Sequence, residues 1–201
     1  MVENWNYGFQ FVTGDYIAYF TDKMFLLPST LARAASGISA SECEIVNWVD
    51  AAYTSASYPD YFGGGSFIYA RPVGPALTSY DALAELSAKG LAAVPRTEQD
   101  PFAYAGGKTC FGAYARRVCD RTIQRAGALF HPIAPDYTSM ILGLSLTRSA
   151  TQFAGSGILH LHTDLSNATP VATRDDGALR FLSDLGNGDQ LLAGLPVPGL
   201  Y

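Results

Sequence analysis

The chain has 201 residues, enough for one domain to bury a sizeable core without disulfides or metal. Its net charge of −5 and pI near 5.0 argue against a nucleic-acid partner, because phosphate neutralisation needs a basic excess. No run approaches the roughly 18 apolar residues of a membrane span, and MVENWNYG lacks the basic end and apolar run of a signal peptide; the expectation is an intracellular, cytoplasmic protein without a membrane partner.

From Trp5 to Phe20 aromatic residues alternate with small or polar ones around Thr13-Gly14-Asp15, which predicts two strands joined by a turn. Pro28 and Gly37 frame a short helix over 29–36. Ser39 with Glu42, and Ser41 with Glu44, offer overlapping capping boxes ahead of Ile45, Trp48, Val49, Ala52, Tyr53 and Ala56, which predicts a second helix. Pro59 and Gly63 to Gly65 make the next stretch irregular. A short strand over 67–71 comes next, then a helix over 79–89 ended by Gly90.

The spacing of Phe111, Tyr114, Ala115, Val118, Thr122 and Ala126 predicts a helix from Thr109 to about Ala128. After the break HPIAPDY, strands are expected over 139–147, over 157–165 and near 170–174, then a helical turn or two over 177–185. Helices and strands alternate without regular βαβ spacing. The expected fold class is α+β: a single compact domain over 1–201 with a mixed or antiparallel sheet, about four to five helices and irregular Gly/Pro-rich loops. The tail LLAGLPVPGLY has no charge, and Pro196 and Pro198 forbid helix, so 191–201 is read as a docked extended arm presenting Leu195, Val197, Leu200 and Tyr201.

Catalytic signals are sparse. Gly107-Lys108-Thr109 invites comparison with a phosphate-binding loop, but Phe102 stands where that pattern needs glycine. Gly143-Leu144-Ser145 continues as Leu146-Thr147 and lacks the second glycine of a nucleophile elbow. Cys43, Cys110 and Cys119 read as free thiols. In the predicted helix Cys110 lies toward solvent in the first turn, where the helix dipole and Lys108 favour thiolate, while Cys119 faces inward.

On the strand ILHLHTDL, alternation puts Ile158, His160, His162 and Asp164 on one face. A helix-start cysteine followed by a strand histidine and a polar residue resembles, in chain order, papain-like and cell-wall-peptidase-type cysteine hydrolases. That resemblance implies Cys110 as nucleophile, His160 or His162 as base, and Asp164 or Asn167 as orienting group. The plainer reading makes the histidines the solvated side of an edge strand. The same face could hold a metal, but it offers an incomplete ligand set, with His131 the one other histidine, so neither metal nor cofactor is expected.

Arg116, Arg117, Arg121 and Arg125 fall within ten residues of one predicted helix and could grip an acidic partner surface or a nucleic-acid backbone. Only 15% of residues are charged, against about 25% in ordinary soluble domains, and lysine occurs only at 23, 89 and 108. That bias suits a surface spent on protein partners. The expected function is a structural or interaction protein: a subunit of a large ordered assembly such as a virus capsid or its surface, binding copies of itself or a shell protein. A cysteine hydrolase or transferase is the alternative, and a nucleic-acid module on the arginine face a third reading.

Overall fold

A computed structural model describes residues 2–54, 67–69, 77–90, 105–132, 134–163 and 183. The fold is α+β, with five α-helices and a seven-stranded sheet among these residues. By contact the chain divides into Met1–Ala52 with Tyr69–His160, and Tyr53–Ile68 with Leu161–Tyr201. All five of these helices and most of the sheet belong to the first unit, and Leu161 and His162 complete the strand that begins at Ala150. The expected strand near 170–174, the helical turn over 177–185 and the arm over 191–201 lie outside the described residues.

The helices are α1 (Val2–Phe9), α2 (Thr30–Ser41), α3 (Ala82–Gly90), α4 (Arg116–Ala126) and α5 (Pro135–Leu146). The strands are β1 (Tyr16–Ala18), β2 (Met24–Leu26), β3 (Ile45–Thr54), β4 (Phe67–Tyr69), β5 (Leu77–Tyr80), β6 (Gly112–Ala115) and β7 (Ala150–His162). The strand order is β1-β6-β3-β7-β2, with β5 also on β7. Pairing is antiparallel in β1–β6, β3–β6, β2–β7 and β5–β7.

Four expectations are corrected. The first segment begins as helix α1, because Val2, Trp5 and Phe9 recur at helical spacing and pack on the core. The helix expected after the capping boxes is strand β3. Glu42 takes a left-handed φ of 49° and ends α2, and Ile45 to Val49 are then buried on both faces of the sheet. A strand buried on both sides reads as a continuous apolar run, which periodicity cannot tell from a buried helix.

The helix expected from Thr109 is instead a 3-10 turn (Thr109–Phe111), then β6, then α4, which ends at Gly127 with φ 81°. The strand expected over 139–147 is helix α5, opened by Pro135 and burying Ser139, Met140, Gly143 and Leu144.

Alternation along the central strands divides the core between the two faces of the sheet. Ile45 and Tyr114 join Val118, Leu129, Phe130, Met140 and Leu144 on one face. Val46, Trp48 and Ala113 join Ala34, Phe111, Phe153 and Ile158 on the other. Among the described residues no helix is long and apolar enough to cross a membrane.

Candidate functional site

The 3-10 turn carrying Lys108, Thr109 and Cys110 is pinned by a buried polar network centred on Asn47 of β3. The Asn47 amide nitrogen donates to the carbonyls of Lys108 (3.3 Å) and Phe111 (3.1 Å). Its oxygen accepts from the Tyr80 hydroxyl (2.6 Å) and the Gly107 amide (3.1 Å). All four hydrogen-bonding positions of the side-chain amide are therefore used. Tyr114 donates to the Gly107 carbonyl, and Thr109 and Ser139 share a hydroxyl contact of 2.5 Å.

Cys110 consequently sits inside the protein, 7% exposed, and not toward solvent in a first helical turn. Burial pushes its thiol up to about 12; the carboxylates of Asp136 and Asp50 push the same way, against the opposing charge of Lys108. Lys108 is itself buried, its Nζ 3.1 Å from the Tyr137 hydroxyl and 4.2 Å from that ring's centre. These surroundings favour the neutral thiol, the reverse of what a cysteine nucleophile requires. Cys119 faces inward as expected and is likewise raised to about 12, chiefly by burial.

The histidine strand is an interior one. β7 has β3 on one side, with β5 along its first half and β2 along its second on the other, so His160 is not at a sheet edge. His160 opposes Met24 across the β2–β7 ladder, and its ring meets that of Phe111 edge-on at 6.3 Å. Its Nδ1 stands 3.6 Å from Oδ2 of Asp50 on β3, with both side chains 21% exposed. His162 lies two residues later, on the same face of the strand.

Asp50 is the residue that sequence reasoning missed. It lay in the segment read as a helix, and its one signal was a lone carboxylate in the apolar run IVNWVDAAY. Asp164 and Asn167, the acid and amide expected beside the histidines, lie outside the described residues, as do Leu195, Val197, Leu200 and Tyr201.

Three of the four arginines make internal contacts. Arg117 Nε and Arg121 Nη2 both donate to Glu44 Oε1, at 2.8 and 2.9 Å, and the backbone amide of Arg148 donates to Oε2 at 2.8 Å. Burial alone would raise the Glu44 carboxyl, but these donors outweigh it and hold the carboxyl below its ordinary value. Arg116 donates to the carbonyls of Gly14 and Val12 and lies over the Phe9 ring. Arg125 is exposed in the last turn of α4.

No family model matches the chain, and no curated protein matches it.

Proposed function

We propose that this chain is a structural protein that works by protein–protein contact, as a subunit of a large ordered assembly built from copies of itself, of the kind a capsid shell represents. The observation that carries the reading is helix α1 and the turn after it. The helix buries no residue completely, yet Tyr7 and Phe11 are 61% and 65% exposed and meet edge-on at 4.9 Å. Val12, next in the chain, is also exposed. Elsewhere Phe25, Leu31 and Leu83 are each more than half exposed.

Aromatic residues set as rigid, exposed pairs are the anchors that protein interfaces use, because they cover large apolar area at small entropic cost. The scarcity of lysine fits the same reading, since lysine is depleted where surfaces meet. The cysteine hydrolase reading has no such support, because Cys110 is buried with its thiol held neutral.

The test is the native mass of the untagged protein by light scattering over a concentration series, beside Phe11→Asp. A concentration-dependent or large species that reverts to monomer in the variant supports the reading. A monomer at every concentration defeats it.

A further inference from the structure

We infer that the arginine flank of α4 is the docking surface for helix α1 of a second copy of the chain. The inference rests on the assembly reading above and names the surface that receives the aromatic patch.

Two stripes of matching length and opposite charge carry it. Glu3, Tyr7 and Phe11 recur every fourth residue along α1 and the turn that continues it, where the Phe11 amide donates to the Gly8 carbonyl at 3.1 Å. The edge-on contact of Tyr7 with Phe11 places them on one face, and all three residues are exposed. Arg117, Arg121 and Arg125 recur at the same interval on α4. Each stripe covers about 12 Å of helix.

The arginines are held ready. Glu44 accepts from Nε of Arg117 and Nη2 of Arg121, which anchors both guanidinium groups. The Arg117 side chain is nevertheless 59% exposed, and its two terminal nitrogens take no partner among the described residues. Arg125 is exposed at the end of α4. Asp120 lies on the other flank of the helix, in a groove with Asn6 and Phe9 of the same chain's α1. That flank is already used, and the arginine flank is left for another copy.

Charge selects the occupant. Glu44 offsets one of the three arginines, so the stripe stays positive on a chain whose net charge is −5. The rest of the chain is correspondingly acidic, which makes a second copy complementary and disfavours a polyphosphate.

An antiparallel arrangement satisfies both ends of the contact. Glu3 then meets Arg125, Tyr7 meets Arg121 and Phe11 meets Arg117. Glu3 stands in the first turn of α1 and Arg125 in the last turn of α4, the ends at which the helix dipole favours each charge. The two rings lie against guanidinium groups, a pairing that arginine makes with aromatic faces. Surface and counter-surface differ, so the contact is heterologous and copies add head to tail into a ring or filament.

The test is charge exchange in the full untagged chain. Arg125→Glu and Glu3→Arg, both at exposed positions, should each weaken self-association by about fivefold, read as a dissociation constant by light scattering or sedimentation. The double variant restores opposite charges across the contact and should recover most of the loss. Raising NaCl from about 50 to about 500 mM should weaken association of the wild type. Circular dichroism confirms that each variant is folded, and the salt series needs no variant. Wild-type association that ignores salt and both reversals, or single losses that the double variant compounds, overturns the pairing, leaves the assembly reading standing and gives the arginine flank to a different acidic partner. A wild-type chain that is monomeric at every concentration overturns both.

Discussion

The phenol of Tyr80 donates to the side-chain oxygen of Asn47 at 2.6 Å, and the Gly107 amide reaches both groups, at 3.1 Å to Asn47 and 3.0 Å to Tyr80. This junction ties β3, β5 and the turn at Lys108 together in the interior, where an unmade hydrogen bond costs more than a made one gains. Asn47→Leu keeps the size of the side chain but strands the Lys108 and Phe111 carbonyls and the Tyr80 hydroxyl. We expect a loss of roughly 3 kcal/mol in urea unfolding. Tyr80→Phe should cost about half as much, because the Gly107 amide keeps Asn47 as its acceptor. An unchanged denaturation midpoint for Asn47→Leu would contradict the network.

Glu44 yields a pH dependence whose sign is fixed by its partners. Its carboxyl is held below the ordinary value of 4.5 in the folded chain, with burial opposing and Arg148, Arg117 and Arg121 prevailing. The unfolded state therefore binds protons more readily than the folded one as pH falls. The stability from this group is present above the ordinary carboxyl range and is lost as pH drops through the lower folded value. Glu44→Gln should cost about 1–2 kcal/mol near neutral pH, discounted because both guanidinium groups are partly exposed. The gap between wild type and variant should close as the pH falls below the ordinary carboxyl range in a series of thermal melts. A gap that widens in acid would reverse the assignment.

The sequence disclosed the fold class and the elements whose signals are local. Gly127 ends α4 and Gly90 ends α3, each near the residue at which a helix stop was expected. It misled where burial replaces periodicity. Ile45 to Val49 are apolar at every helical and every strand position but Asn47, so the overlapping Ser/Glu capping boxes decided for helix, while tertiary pairing with β6 and β7 decided for strand. His160 and His162 were legible as a pair on one face. The carboxylate beside His160 was not, because strand neighbours distant in sequence leave no local trace.

At Gly143 helix α5 lies close against Tyr114 of β6. A Cβ added there would overlap a ring carbon of Tyr114 and sit 2.8 Å from its hydroxyl oxygen. Tyr114 is wholly buried and its hydroxyl is committed to the Gly107 carbonyl, so the ring has no room to yield. Gly143→Ala should therefore destabilise by about 3 kcal/mol, although alanine is the better helix former. The paired variant Gly143→Ala with Tyr114→Phe should recover none of this loss, since the clash is with ring carbons as well as the hydroxyl. Full stability in Gly143→Ala would mean that α5 stands farther from β6.

Cys110 separates a core residue from a nucleophile. Burial first, then the charges of Asp136 and Asp50, push its thiol to about 12, and Cys119 is raised as far, chiefly by burial. Alkylation proceeds through the thiolate, so both residues should remain unmodified in the folded protein near pH 8 while an unfolded control is fully labelled. Peptide mass spectrometry after iodoacetamide, with and without guanidinium, reads each site separately. Protection of both cysteines until the global unfolding transition would make them part of the packed interior. Rapid labelling of Cys110 in the folded chain would mean that the turn at Lys108 opens, returning Cys110 to consideration as a nucleophile.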